Sequence, residues 1–246
     1  RLLLPDEDFH SEVSDELANV LKELAEHALG KKEGEEKEAP FLHGQPVILV
    51  AGLGNQSVTP DSLGPRTVNN LSVSQNETGL KAIAPGVMAQ TGMETARILS
   101  GLIREIKPDL VIAIDALAAR SIRRLGTTIQ LTDTGIHPGS GVGNHRHSLT
   151  KETLGIPVLA VGVPTVVGAA AIVHDTISAL TGVLASEEAT KNTGKWIENM
   201  NPEDQYRMIR ELLEPEFGSL YVTPPDIDQR VKQLSFTISE GIHRAV

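Results

Sequence analysis

An apolar run that ends in two glycines constrains the fold of this chain more than any other stretch. Residues 47–51 read Val-Ile-Leu-Val-Ala, and Gly52, Leu53 and Gly54 follow them directly. A continuous apolar and β-branched run of this length is typical of a parallel strand that is buried on both faces. Because open α/β sheets bind their ligands beyond the carboxyl ends of such strands, we expect the chemistry of this protein in the loop after Gly52.

Two further apolar runs, residues 110–114 and 157–164, also have the character of buried strands. Segments with helical spacing of apolar residues alternate with these runs, which is typical of a mostly parallel sheet covered on both sides. We therefore predict an α/β fold: a single domain over residues 1–246, with a twisted, mostly parallel sheet and helices on both faces. The helix and charged loop of residues 1–40 and the helical segment of residues 186–217 are predicted to be peripheral.

Three stretches carry local helix signals. Thr91 and Glu94 have the spacing of a capping box, which predicts that a helix begins there. Residues 116–125 read as a helix, and Asp115 stands at the position that would cap it. Residues 166–184 are rich in alanine and are predicted to form a buried helix.

Composition limits the partners and the chemistry. The formal net charge is -10, which argues against a general affinity for nucleic acid or anionic membrane, so we predict neither as a partner. The chain has no cysteine, which excludes thiol nucleophiles and thiolate metal sites and is typical of a reducing, intracellular setting.

Two aspartates follow predicted strands at the same edge of the sheet. Asp61 lies in the turn-rich segment after the first strand, and Asp115 directly follows the second. Taken singly, Asp61 ends a turn and Asp115 caps a helix. Taken together, two neighbouring carboxylates repel each other when both are ionised, so one stays protonated near neutral pH while the other acts as a base. Such a pair can activate water and protonate a carbonyl without a metal or a nucleophile.

A histidine cluster leaves a metal-dependent alternative open. His137, His145 and His147 lie close together in a glycine-rich segment, and His-x-His on an extended chain can ligate zinc or nickel. Asp61 or Asp115 would then supply an oxygen ligand. In the other interpretation, these histidines are polar loop residues that orient a neighbouring carboxylate.

Two motifs have simpler explanations. Gly52 and Gly54 do not open a dinucleotide-binding loop, because Ser57 occupies the place of the third glycine and no acid lies near position 72. The Asp-Thr-Gly triplet at 133–135 occurs once in an α/β chain, whereas pepsin-like proteases need it twice in a β-rich fold. A turn is the ordinary role of such a triplet.

Six segments within residues 47–184 carry a family resemblance. They are Gly-Leu-Gly-Asn at 52–55, Thr-Pro-Asp-Ser-Leu-Gly-Pro at 59–65, Ala-Pro-Gly-Val-Met at 84–88, Ile-Asp-Ala-Leu-Ala-Ala-Arg at 114–120, Asp-Thr-Gly-Ile-His-Pro-Gly-Ser-Gly-Val-Gly-Asn at 133–144 and Val-Gly-Val-Pro-Thr-Val-Val at 161–167. In these segments the chain resembles the germination proteases, or spore proteases, of spore-forming Gram-positive bacteria.

The resemblance implies an endopeptidase that degrades small acid-soluble spore proteins at germination and cleaves after glutamate. It further implies a self-processed zymogen, a homotetramer and the cytoplasm of the spore core as the location. The two essential aspartates of the family correspond to Asp61 and Asp115, with an aspartic mechanism, no metal and no cofactor. The family is distantly similar to the hydrogenase maturation proteases, so their fold, which is also phosphorylase/hydrolase-like, is expected here.

A preference for glutamate predicts basic groups near the cleft, and the candidates are Arg66, Arg120, Arg123 and Arg146. The rival hypotheses are a metal-dependent hydrolase or hydrogenase-maturation-type peptidase with His and Asp ligands, and a binding module whose glycine loops hold a ligand. The predicted substrate-binding residues are Arg66, Arg120, Arg146, His137, Gly54 and Asn55.

Overall fold

The computed structural model describes residues 7–30, 46–73, 79–138, 147–186 and 199–246. Within these ranges the chain forms six strands, eight α-helices and two 3₁₀ turns. The helices are α1 (Glu7–Ala28), α2 (Leu63–Asn70), α3 (Met88–Thr91), α4 (Thr95–Ile106), α5 (Lys151–Leu154), α6 (Ala169–Ser186), α7 (Pro202–Phe217) and α8 (Ile227–Ala245). The strands are β1 (Ile48–Gly52), β2 (Leu80–Ile83), β3 (Leu110–Ala119), β4 (Gln130–Thr132), β5 (Val158–Gly168) and β6 (Tyr221–Val222), and the 3₁₀ turns are Thr59–Asp61 and Ile122–Arg124.

The six strands form one mostly parallel sheet in the order β2-β1-β3-β5-β4, with β6 on the end of β5. Strands β2, β1, β3 and β5 run parallel, whereas β4 and β6 are antiparallel to β5. The predicted α/β fold class is therefore confirmed. The two antiparallel pairings come from short strands at the margins of the sheet.

Helices cover both faces of the sheet. On one face, side chains of α1, α2 and α8, including Leu21, Leu63 and Ile238, pack against alternate residues of β1, β3 and β5. On the other face, α4 and α5 supply Leu99 and Leu154 to a second core. Burial on both faces explains why the central strands read as continuous apolar runs rather than as alternating ones.

Strands β3 and β5 run well beyond the end of β1. The predicted helix over residues 116–125 is wrong, because β3 continues to Ala119, where it pairs with Val167 of β5. Only the 3₁₀ turn at Ile122–Arg124 is helical. Pairing with the β-branched residues of β5 overrides the local helix propensity of alanine and leucine. Asp115 accordingly lies inside a strand and caps no helix.

The predicted capping box is also wrong. Thr91 ends the short helix α3, and Gly92, with φ +68°, separates α3 from α4. Helix α4 begins at Thr95, and its N-cap residue, Glu94, makes no side-chain capping bond. The Glu94 carboxylate bonds His147 instead, so a long-range contact replaces the predicted local one.

Helix α6 is far more exposed than predicted. Only Ala171 and Thr181 are fully buried in it, and Leu180 and Val183 are more than half exposed. By length and composition, α6 is the one described helix that could cross a membrane. It follows the extended end of β5 and packs against α7 beyond the main sheet, where few other elements can cover it.

Candidate active site

A cleft of about 680 Å³ opens where β1 and β3 part. The last backbone bond between them runs from the Leu53 N–H to the Ile114 carbonyl oxygen, at 2.8 Å. At Gly54, with φ +110°, the chain turns away from the sheet. The departing loop forms one wall of the cleft and the continuing strand β3 forms another. This is the crevice beyond the carboxyl ends of the strands that the sequence predicted.

Asp61 is held at the mouth of the cleft by the loop that carries it. It ends the 3₁₀ turn, and its Oδ2 accepts a 2.7 Å hydrogen bond from the Asn55 backbone N–H. A Cβ atom on Gly54 would overlap the Asp61 carbonyl oxygen. The glycine is therefore needed both for its positive φ and for this close approach.

Asp115 faces the same cleft from β3. The residue is 6% exposed and is paired in register with Gly162 of β5. Its Oδ1 accepts a 3.0 Å hydrogen bond from the backbone N–H of Ala116. The structure thus brings Asp61 and Asp115 into one cleft, from elements 54 positions apart in the chain (115 − 61).

Close backbone packing holds the loop against the sheet. A Cβ on Gly52 would overlap the carbonyl oxygen of Gly64, and a Cβ on Gly64 would overlap backbone atoms of Leu53 and Ile114. The start of α2 therefore rests directly on the strand ends. Next to it, the buried hydroxyl of Ser62 donates to the Thr59 carbonyl oxygen at 2.8 Å.

The predicted substrate-binding residues divide into two groups. Gly54, Arg120 and His137 line the cleft. Asn55 and Arg66 brace the loop instead: the Asn55 Oδ1 accepts from the side chain of Gln90, and the Arg66 Nε donates to Ser62. Arg146 lies outside the described residues, and Arg123 is exposed on the 3₁₀ turn.

Two of the three clustered histidines lie within the described residues. His137 lines the cleft, His147 bonds Glu94, and His145 lies outside the described residues. The bond from His147 lowers the pKa of the Glu94 carboxyl. Over the part of the chain that the structure describes, no three His, Asp or Glu side chains are placed to hold a metal ion.

Most residues that line the cleft were not predicted from the sequence, and four polar examples stand out. Arg124, Gln130, Thr165 and Tyr221 line the cleft from the second 3₁₀ turn, β4, β5 and β6. Burial raises the pKa of the Tyr221 hydroxyl. No local pattern marks these residues, because Gln130, Thr165 and Tyr221 reach the cleft through strand pairings and Arg124 reaches it from a turn whose position is set by the long strand β3.

The fold and the cleft define an α/β protein with two aspartates at the carboxyl edge of its sheet. A sequence profile described as germination protease matches residues 8–196. The chain belongs to the germination protease family, as its sequence motifs indicated.

Individual relatives agree with this assignment. The germination protease of Caldanaerobacter subterraneus subsp. tengcongensis is 46% identical over 259 residues, covering 100% of this chain and 75% of that protein. The germination proteases of Clostridium acetobutylicum and Priestia megaterium are 43% and 40% identical, and cover 83% and 80% of this chain. The chain spans 67% and 65% of the length of those two relatives.

A solved structure is also distantly similar. The NiFe hydrogenase maturation protease HycI from Thermococcus kodakarensis KOD1 is 22% identical, covers 50% of this chain and 76% of that chain, and has a TM-score of 0.34.

Proposed function

We propose that this protein is an endopeptidase of spore germination in which Asp61 and Asp115 act as a general acid–base pair. The observation that carries the proposal is the placement of both carboxylates in one cleft, in a chain of a peptidase family. One carboxylate removes a proton from water as the water attacks the scissile carbonyl carbon, and the protonated partner donates to the carbonyl oxygen. The C–N bond then breaks as one carboxyl group gives its proton to the leaving amine, and a hydroxyl of the tetrahedral intermediate returns a proton to the other carboxylate, which restores the singly protonated pair. Because coupled carboxylates titrate together, neither role is assigned to one residue.

We further propose that the substrates are small acid-soluble spore proteins and that cleavage follows glutamate. The guanidinium groups of Arg120 and Arg124 at the cleft support an acidic side chain in the substrate, in a chain whose overall charge is -10. Incubation of the purified chain with such a spore protein, followed by mass spectrometry of the products, tests both statements. Cleavage sites without a preceding glutamate would contradict the specificity.

Replacing Arg120 with glutamine is expected to raise KM for a glutamate-containing peptide about tenfold, since a hydrogen bond to a charged group contributes roughly 1.5–3 kcal/mol. Arg120 is well placed for this, because among the described residues its exposed guanidinium has one ion-pair partner, the distant Glu203 Oε1 at 3.7 Å. KM is measured with peptides carrying glutamate or glutamine at the cleaved position.

The matched control is Arg104→Gln on α4, an exposed arginine that is not among the cleft residues and that donates to the Ser100 carbonyl oxygen. It should leave both KM values unchanged. An equal rise of KM for the two peptides in Arg120→Gln would show that the arginine does not read the glutamate charge.

Gln90 is expected to act as a positioning residue. Its Nε2 donates to the Asn55 Oδ1 at 2.8 Å, and the Asn55 N–H in turn holds the Asp61 carboxylate. Gln90→Leu removes this bond and the long 3.5 Å bond that the Gln90 Oε1 accepts from the Val87 N–H, both of them neutral, so kcat should fall about fivefold with little change in KM. The pH profile of kcat should also shift, because Asp61 loses part of its support.

Gln56, exposed in the same loop, provides the control for this prediction. Gln56→Leu should leave both kcat and its pH profile unchanged. If Gln90→Leu lowered only thermal stability, with kcat and the pH profile intact, a purely structural role would be indicated.

We also propose self-processing from a zymogen, assembly as a homotetramer and a location in the cytoplasm of the spore core. These proposals rest on the family resemblance. Exposed apolar side chains on α6 and α7, which include Leu180, Val183, Leu212 and Phe217, support the assembly because patches of this kind usually mark association surfaces. Sedimentation velocity of the purified chain tests it, and a monomer at micromolar concentration would refute it.

A further inference from the structure

Beyond β1, one edge of β3 is open. β1 pairs with β3 only as far as Gly52 opposite Ile114, and the chain departs at Gly54. On its other edge, β3 stays paired with β5 through Ala119. Within the described residues, therefore, no strand pairs with the cleft side of residues 115–119.

The open edge presents backbone donors and acceptors to the cleft. Successive residues of a parallel strand direct their N–H and C=O groups to opposite neighbours. The Ile114 carbonyl faces β1, so Ala116 and Ala118 direct their groups to the same, open side. The pairing of β3 with β5 is irregular after Leu117, where β5 has one extra residue, Thr165. Because the extra residue lies in β5, the alternating direction of the backbone groups continues unbroken along β3.

One of these backbone groups, the Ala116 N–H, already makes a hydrogen bond within the protein. The Ala116 N–H donates to the Asp115 Oδ1, which leaves the Ala116 carbonyl and both backbone groups of Ala118 facing the cleft. At about 3.3 Å per residue, residues 115–119 can pair with a peptide of roughly five residues.

We propose that the substrate binds as an added strand along this edge, in the place that β1 leaves vacant. The occupant is an extended, unfolded peptide segment, and its backbone pairs with Ala116 and Ala118. This inference rests on the proposed endopeptidase function and deepens it. Because Asp115 begins the open edge and Asp61 lines the same cleft, strand addition delivers a peptide bond to the two carboxylates.

Strand addition explains what kind of chain this cleft accepts. The main-chain hydrogen bonds bind any extended peptide, while side-chain contacts add a preference for particular residues. A folded segment cannot present a free strand, so the site selects chains that are unfolded at the point of cleavage. An unpaired strand edge exposes a protein to unwanted pairing with other chains. Its presence in the cleft is therefore consistent with a role in binding a peptide.

An N-methyl scan of a short fluorogenic peptide with one glutamate tests the proposal on the unaltered protein. Each backbone N–H of the peptide is methylated in turn, and kcat/KM is measured. Methyl groups at every second position should lower kcat/KM about tenfold, because each removes a hydrogen bond and places bulk against β3. Methyl groups at the intervening positions should have little effect.

The possible outcomes distinguish a failure of strand addition from a failure of the proposed endopeptidase function. A scan that is flat away from the cleaved bond, with the unmethylated peptide still cut, overturns strand addition alone and indicates that a second copy or another segment of this chain covers the edge. Failure to cut the unmethylated peptide, or any small acid-soluble spore protein, overturns the endopeptidase function and the inference with it.

Discussion

Asp61→Asn and Asp115→Asn are each expected to lower kcat/KM for peptide cleavage by about a thousandfold or more, with the fold intact. An amide has nearly the shape of a carboxylate but can neither take a proton from water nor deliver one to the carbonyl oxygen. In Asp61→Asn, an amide oxygen can still accept the bond from the Asn55 N–H. Cleavage of a glutamate peptide is measured alongside thermal unfolding.

Asp109→Asn is the matched control for these two variants. Asp109 lies just before β3, and its Oδ2 accepts a 2.8 Å bond from the Val47 N–H away from the cleft. This variant should keep its activity. Retained turnover in both Asp61→Asn and Asp115→Asn would remove the pair from the mechanism, and activity lost on exhaustive chelation and restored by a divalent ion would favour the metal-dependent alternative.

Gly54→Ala is expected to lower the free energy of unfolding by about 3 kcal/mol or more and to abolish cleavage. Two causes add together. The φ of +110° is unfavourable for alanine, and the new Cβ would overlap the carbonyl oxygen of Asp61. Relief of that overlap displaces the Asp61 backbone from its position in the cleft. Denaturant unfolding and peptide cleavage measure the two effects separately.

Gly155→Ala isolates the first of these causes. Gly155 ends α5 with φ +78°, and no atom lies within 4 Å of the place where a Cβ would stand. The variant should therefore lose only about 1 kcal/mol and keep its activity. Equal losses in Gly54→Ala and Gly155→Ala would show that backbone strain alone, rather than the packing against Asp61, explains the effect.

The sheet could be predicted because its signal lies within short stretches of sequence. The runs at 47–51 and 110–114 are apolar on every residue, since both faces of those strands are covered. Parallel strands end at a common edge, so Asp61 and Asp115 could be placed together without knowing the order of the strands. The family motifs around them pointed to the same edge.

The errors arose where pairing between distant segments outweighs local preference. Residues 116–119 read Ala-Leu-Ala-Ala, a good helix sequence, yet they form a strand beside β5. Glu94 has the spacing of a capping residue, yet it bonds His147. In the same way, α6 is apolar enough for a core position, yet the extended ends of β3 and β5 carry it past the main sheet.

By itself, the sequence determined the fold class, the germination protease family and the loop in which Asp61 lies. It could do so because apolar runs, glycines and motif spacing are local properties of the chain. Only the tertiary structure decided that Asp115 stands inside a strand, that Tyr221 and Gln130 join the cleft, and that β3 keeps an open edge there. Those features depend on how far each strand pairs with its neighbours, and pairing is a property of two segments together.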